Sequence, residues 1–498
     1  MAPLLPGDLA KDAYFEVGTL KTGLGAQTGR SARTVLLFSV LRLMFTISTT
    51  AVLARLLGPE VQGLVAMILP IIVIASGVAE FGLPQAVIQR DSISHRQVSA
   101  LFWINAALGV FLTGAVIAAA PAVARFYETP GLAALMVGAA PYILMTVLAV
   151  PYVAILRRRM EIRTAERCSF IGIVAGSAMA IGAALAGAGP WALVVQMVGA
   201  RAATVLAFLW VVKWRPTVPW GADYRAARSA LAFGGKLSAD RLLLETVGQL
   251  PTIVIGRLFG ETSAGLFYRS LAFAQMPRRR IVSPLSGAFV PSLSRLQDDP
   301  AGMRAMFVRQ VTRSNLILVP VGLTILVAPD AMVLTLLGPD WTAAIPMMRW
   351  LGVLPLIAVI GDACNWVLVA LGESGKLLRV RVGAAVIVLG ALAVGSQFDV
   401  ITLVGCVIGA QAVVACLYTP FLITRLTPIT VATLKEALMG DLLFIVGAGL
   451  AALLLRTMLD LAPIWEGVIA GAAICLMQAL RVALSPRLRA DMLKAIRR

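Results

Sequence analysis

The chain has 498 residues, of which 59% are hydrophobic and only 14% are charged, with a formal net charge of +18 at pH 7. Its mean hydropathy of +0.89 exceeds what one buried core can use, which excludes a soluble globular protein and predicts an all-α polytopic membrane protein. In such a chain positive charge can set topology, so the excess of lysine and arginine does not indicate a nucleic-acid partner.

The amino terminus and the cysteines give no sign of processing or of metal binding. Residues 1–34 mix basic and acidic side chains without an apolar core or cleavage site, so we expect a cytoplasmic N-terminal tail and no signal peptide. The cysteines lie in apolar runs and lack metal-ligand spacing, which predicts small core residues at Cys168, Cys364, Cys406, Cys416 and Cys475. The lone histidine, His95, is predicted to lie on the surface of a cytoplasmic turn.

Motifs of enzyme chemistry are missing from the sequence. It contains no P-loop, no dinucleotide-binding glycine pattern, no Cys/His cluster and no Ser/His/Asp set. We therefore expect no catalytic residues, no metal and no cofactor, and we do not predict an enzyme. An ion gradient, the membrane potential or a substrate gradient would then have to supply any driving force.

Apolar stretches of about 18 residues or more predict about fourteen transmembrane helices. In the first half they are 35–57, 61–82, 97–120, 131–156, 165–188 and 191–212; in the second half they are 230–256, 264–292, 314–337, 345–371, 377–396, 401–424, 437–459 and 463–484. Twelve helices remain an alternative. The predicted cytoplasmic connectors and tails hold 29 lysines and arginines, whereas the opposite loops hold only Arg125 and Arg257, so both termini are predicted to be cytoplasmic.

A repeated hairpin organises this pattern. Arg55, Leu56, Gly58, Gly63 and Leu64 recur as Arg257, Leu258, Gly260, Gly265 and Leu266, each 202 residues later. In both copies glycine is expected to supply a tight turn between two apolar helices. Such duplication is typical of transporters with a gated path, so the gating hairpins are predicted at Arg55, Gly58, Gly63, Arg257, Gly260 and Gly265.

The repeat divides the chain into predicted segments. These are an N-terminal tail (1–34), an N-terminal six-helix bundle (35–229), a C-terminal six-helix bundle (230–436), two extra transmembrane helices (437–485) and a basic cytoplasmic tail (486–498).

Ionisable residues in the seventh and eighth spans are the main candidates for a substrate cavity, because a charge in hydrocarbon is costly unless it is paired or hydrated. The candidates are Lys236, Asp240, Arg241, Glu245, Arg269, Arg278, Arg279 and Arg280. In the seventh span Lys236 and Asp240, like Arg241 and Glu245, are four residues apart and can pair along one helix. In the eighth, Arg269 and Arg280 would share one face of a regular helix.

Two interpretations of these charges stay open. Arginines can form a cationic strip that binds a lipid diphosphate or an acidic sugar, because the guanidinium presents paired donors. Alternatively, the arginines of residues 278–280 snorkel to the cytoplasmic surface, and the pairs of the seventh span only allow a polar helix to line the bundle. Arg42 and Arg201 are further cavity candidates with the same structural alternative.

Several motifs carry a resemblance to a known family. They are ARLLGPE (54–60) with Gly63-Leu64, FGL (81–83) with IQR (88–90), WALV (191–194) with WRP (214–216), IGRLFG (255–260), PSLSRLQ (291–297) and LGPDW (337–341). With these motifs the chain resembles the polysaccharide-transport branch of the multidrug/oligosaccharidyl-lipid/polysaccharide exporter superfamily. Members often place an Asp five residues before the glycine that matches Gly256, where this chain has Pro251.

The resemblance implies a lipid-linked oligosaccharide flippase of the bacterial inner membrane. It implies two pseudo-symmetric six-helix bundles in a V plus two C-terminal helices, and alternating access for an undecaprenyl-diphosphate-linked oligosaccharide. Membrane lipids, a polysaccharide polymerase and export machinery are the implied partners. A lipid II flippase and an ion-coupled multidrug exporter of the same superfamily are the alternatives.

Overall fold

The computed structural model describes residues 24–80, 93–159, 161–218, 224–458 and 462–485. Within these ranges the regular structure is helical and contains no strand, which confirms the predicted all-α fold. The chain divides into two compact units, Met1–Thr262 and Ser263–Arg498. The predicted boundary between bundles at residue 230 stays a prediction.

In the described residues, the first unit holds seven complete helices and the first arm of an eighth. They are α1 (Leu24–Leu56), α2 (Pro59–Ala79), α3 (His95–Phe126), α4 (Leu132–Ala139), α5 (Pro141–Arg158), α6 (Ile162–Leu185), α7 (Trp191–Val211) and α8 (Tyr224–Pro277). Helix α8 is broken at Gly260, whose φ of 79° and ψ of 179° are not helical. The break lies just before the end of the first unit at Thr262, so the first arm belongs to the first unit and most of the second arm belongs to the second unit.

The second unit continues from the second arm of α8. A π-helix (Arg278–Val282) leads to α9 (Ser283–Ser294), α10 (Pro300–Val327), α11 (Pro329–Met332), a π-helix (Val333–Leu337), a 3-10 helix (Pro339–Ala344), α12 (Ile345–Leu351), α13 (Val353–Ala370), α14 (Ser374–Gly395), α15 (Val400–Val413), a π-helix (Val414–Tyr418), α16 (Thr419–Leu426), α17 (Val431–Met458) and α18 (Pro463–Leu484). Several predicted spans thus consist of two or three consecutive helical segments.

Twelve helices in the described ranges are long and apolar enough to cross a membrane. Within the described residues each of the fourteen predicted spans overlaps helix, because α1 covers the first and the two arms of α8 cover the seventh and the start of the eighth. Large apolar side chains on the outside, such as Trp210 at 89% exposure and Leu476 at 71%, suit contact with lipid. The count of fourteen and the cytoplasmic termini stay predictions.

Helix starts agree with local sequence signals. Ser94 and Gln97 form a capping box at α3, in which the Gln97 amide donates to the Ser94 hydroxyl over 3.3 Å and the Ser94 amide donates to the Gln97 side chain over 3.2 Å. At α10 the Asp299 carboxylate accepts from the Gly302 amide over 2.9 Å. Such caps satisfy backbone groups that the first turn of a helix leaves unpaired.

The prediction of a surface histidine was wrong. His95 is 2% exposed, and its Nδ1 accepts a 2.8 Å hydrogen bond from the Trp214 indole. Trp214 also packs edge-on against Tyr152, which stacks on Phe208. The segment after α7 therefore packs against the start of α3 and helps to bury the histidine.

The cysteine prediction was right for only part of the set. Cys168 and Cys364 are buried, Cys406 is half-buried, and Cys416 and Cys475 are exposed. In a membrane protein a cysteine can face lipid as well as core, so an apolar sequence context does not distinguish the two positions.

Candidate functional site

Glycine interrupts the helix at both positions where the sequence predicts a hairpin turn. Gly58 separates α1 from α2 with φ 18° and ψ 171°, and Gly260 breaks α8. Arg55 is exposed in the last turn of α1, whereas Gly63 and Gly265 are buried within helices. The repeat in the sequence thus corresponds to a repeated helix break at glycine, and the hairpins and their gating role stay predictions.

The first arm of α8, together with Glu261 just after its break, lies close to α2 at positions occupied by glycine. A Cβ on Gly63 would lie 1.7 Å from the Glu261 carbonyl oxygen, and one on Gly256 would lie 3.0 Å from Met67. A Cβ on Gly77 would lie 2.9 Å from Oε2 of Glu245. Gly63 and Glu261 belong to different copies of the repeat, so the two copies meet at this contact within the first unit.

Arg257, in the second copy, also contacts the turn after α3. Its Nη2 donates to Glu128 Oε1 over 2.7 Å, and its guanidinium lies 5.8 Å from the centre of the Phe126 ring. Glu128 has a φ of 57°, an unfavourable value for a residue with a Cβ. Burial raises the pKa of the neighbouring Tyr127 to about 12. Sequence reasoning identified Arg257 but missed Glu128.

Of the four charged residues predicted in the seventh span, only Glu245 has a described side chain. The side chains of Lys236, Asp240 and Arg241 lie outside the described residues, so their pairing stays a prediction. Glu245 is half-buried against Gly77 of α2.

Arg278, in the eighth span, makes a two-pronged ion pair that sequence reasoning missed. Its Nε donates to Oδ2 of Asp362 over 2.8 Å, and its Nη2 donates to Oδ1 over 2.6 Å. Asp362 lies on α13, 84 residues further along the chain. A count of acidic residues inside apolar spans would have found it, since a lone carboxylate in such a span needs a partner.

The other arginines of this span have different environments. Arg269 is half-buried beside the ring of Tyr268, 5.8 Å from its centre, and Arg279 is exposed. The side chain of Arg280 lies outside the described residues, but its backbone is part of the π-helix. The prediction that Arg269 and Arg280 share a face assumed regular α-helix; it loses its basis because the wider π turn changes the register.

Arg42 and Arg201 also have partners at membrane depth. Arg42 pairs with Glu166 of α6, and its side chain is 14% exposed. Arg201 donates to the Tyr142 hydroxyl over 3.1 Å and lies 5.2 Å from the centre of its ring. Among the ion pairs of the described residues, none joins Arg201 to a carboxylate. The Arg201 guanidinium instead makes a cation–π contact with the Tyr142 ring.

Two further polar clusters attach the last two helices to the rest of the second unit. Asp441 of α17 accepts from Asn315 over 2.7 Å and from Arg481 of α18 over 2.8 Å. Arg456 near the other end of α17 pairs with Asp330 and, over 3.4 Å, with Glu466. Both clusters join helices that are distant in sequence, and span-by-span analysis did not reveal them.

Solved structures define the class of this fold. The lipid II flippase MurJ in an inward closed conformation is 13% identical, with a TM-score of 0.66, and the match covers 89% of this chain and 98% of that one. An inward-facing multidrug resistance MATE family transporter of the MOP superfamily is 14% identical, with a TM-score of 0.63 and coverage of 78% and 98%. The chain is thus a multi-pass membrane protein with the fold of these transporters.

Sequence comparison then gives the family. The model of the polysaccharide biosynthesis protein family matches residues 52–346, more than half of the chain, so the chain belongs to that family. It is 25% identical to the lipopolysaccharide biosynthesis protein WzxC of Escherichia coli, over 70% of each chain. It is 24% identical to the succinoglycan biosynthesis transport protein ExoT of Rhizobium meliloti, again over 70% of each, and to the teichuronic acid biosynthesis protein TuaB of Bacillus subtilis, over 68% of this chain and 72% of that one.

Proposed function

We propose that the protein is a flippase that moves an undecaprenyl-diphosphate-linked oligosaccharide across the bacterial inner membrane by alternating access. It acts as a transporter and not as an enzyme. Its membership of the polysaccharide biosynthesis protein family and its transporter fold support this role. Relatives named for the biosynthesis or transport of lipopolysaccharide, teichuronic acid and succinoglycan favour a surface glycan over a drug as the cargo.

The observation that carries the proposal is the presence of arginines within the predicted spans. Arg201 in the first unit lies against a tyrosine, and Arg278 in the second remains 40% exposed beside its carboxylate. A guanidinium in hydrocarbon carries a high free-energy cost, so these side chains are expected to face water or an anionic ligand. A diphosphate or an acidic sugar supplies the oxygen pairs that arginine binds best.

The hairpin around Arg257 has the features expected of a gate. It approaches α2 at Gly63 through Glu261 and contacts the turn after α3 through Arg257, so movement of the segment that carries these two residues would break both contacts. We assign Arg55 and Arg257 to the extracytoplasmic closure, and the last two helices to contact with the lipid tail. A polymerase and the export machinery are proposed partners.

The decisive experiment is transport in proteoliposomes. The purified protein is reconstituted with a fluorescent undecaprenyl-diphosphate-linked oligosaccharide, and an impermeant glycosidase reports how much substrate reaches the outer leaflet. We expect the protein to move this substrate to the outer leaflet and to move little lipid II. Preferential movement of lipid II, or of a drug alone, would overturn the proposal.

A matched pair of variants tests the arginines. Replacing Arg278, Arg279 and Arg280 together by Gln is expected to impair export while protein levels are unchanged. Arg425→Gln is the control, because Arg425 lies over the Phe421 ring at the end of α16. Normal export by the triple variant would remove these residues from the site.

A further inference from the structure

We propose that Asp362 is an internal counter-anion that exchanges with the anionic group of the substrate on Arg278. When the site is empty Asp362 holds the guanidinium; when substrate binds, its phosphate or carboxylate takes that position; and Asp362 reclaims it at release. The inference rests on the proposed function and deepens it by assigning a release step to one ion pair.

The geometry makes the two occupants mutually exclusive. Nε and Nη2 of Arg278 donate to the two oxygens of Asp362 over 2.8 and 2.6 Å. This paired edge is the one that fits a phosphate or carboxylate in the same two-pronged way. One oxyanion can use it at a time, so a substrate anion that engages the edge must displace Asp362.

Exposure separates this pair from the structural pairs of the same unit. The side chains of Arg278 and Asp362 are 40% and 19% exposed. Those of Arg456 and Asp330 are 17% and 18% exposed, and those of Arg481 and Asp441 are 20% and 3% exposed. Arg278 is thus the most accessible of these three arginines.

The arginine and the carboxylate stand on different kinds of helix. Arg278 opens a π-helix that follows Pro277, and such irregular turns occur often at functional sites. Asp362 lies inside the regular helix α13. At about 1.5 Å per residue, it is roughly 13 Å from Leu371, the last residue of its predicted span. In an exchange the guanidinium would move and the carboxylate would stay.

Charge explains why an exchange is needed. A guanidinium left bare at this depth is costly, which would make an empty site unstable after release. Pairing with Asp362 neutralises Arg278 in the empty state, so the site without substrate holds no bare guanidinium at this position.

Binding measurements on the full-length protein test the exchange. The probes are geranyl diphosphate and glucuronic acid, which separate a phosphate from a carboxylate as the preferred oxyanion. We expect Asp362→Asn to lower the Kd of the preferred probe at least tenfold and to slow transport, because the competitor is gone and release is hindered. Arg278→Gln should raise the Kd at least tenfold, and Asp362→Glu should restore wild-type behaviour.

A control and a second measurement keep the test decisive. Asp330→Asn opens another ion pair of the same unit and should leave the Kd unchanged. An unchanged or higher Kd in Asp362→Asn would overturn the exchange. If that variant does not fold, infrared difference spectra of the wild type and of Asp362→Glu decide the question. Addition of the probe should shift one carboxylate stretching band, and the frequency of that band should differ between the wild type and Asp362→Glu. The absence of the band shift on addition of the probe would overturn the proposal.

The inference and the proposed function can fail separately. If the Kd of the probe shifts as expected while proteoliposomes do not move the lipid-linked oligosaccharide, the flippase assignment fails and the exchange stands. If transport occurs and the Kd does not respond to substitution of Asp362, the exchange fails and the flippase assignment stands.

Discussion

Arg257 and Glu128 lie 129 residues apart in the chain and form an ion pair with a distance of 2.7 Å between Nη2 and Oε1. Arg257 lies in the last turn before the break at Gly260, and Glu128 lies in the turn after α3. The pair connects the second copy of the hairpin repeat to the first half of the sequence, and both residues belong to the first unit.

Charge reversal tests this pair. We expect Arg257→Glu to reduce glycan export strongly, and Arg257→Glu combined with Glu128→Arg to recover much of it, because the swap restores the attraction. The effect on folding stability should be small, about 0.2–1 kcal/mol, since the side chains are 39% and 70% exposed. Export in a deletion strain and thermal unfolding measure the two effects. Equal export by the single and double variants would show that the pair plays no part in gating.

The close approach at Gly63 predicts a steric effect. In Gly63→Ala the new Cβ would collide with the Glu261 carbonyl oxygen, 1.7 Å away, so the hairpin must shift. Overpacking of this kind costs about 1–3 kcal/mol. Gly114→Ala is the matched control, because its Cβ would meet nothing within 4 Å in helix α3. A Tm of Gly63→Ala as high as that of Gly114→Ala would contradict this packing.

The spans and hairpins could be predicted from sequence because their signals are local. Runs of apolar residues coincide with helices in every predicted span, and the glycine of the second hairpin adopts the positive φ that glycine tolerates best. A helix in lipid must satisfy its own backbone, so hydropathy alone constrains it strongly.

The partners in the candidate site could not be predicted because they depend on tertiary contacts. Arg278 meets Asp362 across 84 residues, and Arg42 meets Glu166 across 124. Nothing in either local sequence specifies which helix packs beside the other. The π-helix at Arg278 also changed the register on which the shared face with Arg280 depended.

Removal of Asp441 should destabilise the attachment of the last two helices. Asp441 is 2% exposed and accepts from both Asn315 and Arg481, so Asp441→Ala leaves a guanidinium without its carboxylate. We expect a loss of about 3–5 kcal/mol. The double variant Asp441→Asn/Arg481→Gln should lose less, because no unpaired charge remains. Denaturation in detergent measures both, and an equal loss in the two would contradict the ionic explanation.

The contact between Trp214 and His95 predicts a graded response. Trp214→Phe keeps an aromatic ring beside Tyr152 but removes the indole donor to His95, which should cost about 1 kcal/mol. Trp214→Ala should cost about 3–5 kcal/mol, because the ring is 5% exposed. Trp210→Phe, at an 89% exposed position, should be close to neutral. Thermal unfolding ranks the three, and equal Tm values would contradict the buried contact.

Asp399 predicts a dependence of stability on pH. Its carboxylate caps α15, where it accepts from the Thr402 hydroxyl and from the amides of Ile401 and Thr402 over 3.0 and 3.3 Å. The hydrogen bond from the Thr402 hydroxyl is the largest cause that lowers the pKa of Asp399 below its ordinary value. Because the folded pKa lies below the unfolded one, the cap is fully stabilising above about pH 4 and is lost as the pH falls through the folded pKa.

The matched variant for this cap is Asp399→Asn, which keeps a capping oxygen and removes the titration. Between about pH 5 and pH 2 the Tm of the wild type should fall towards that of Asp399→Asn, since protonation removes the advantage of the charged acceptor. Thermal unfolding of both proteins in the same detergent across this range measures the difference. A Tm difference that does not change with pH would show that the carboxylate charge contributes nothing to the cap.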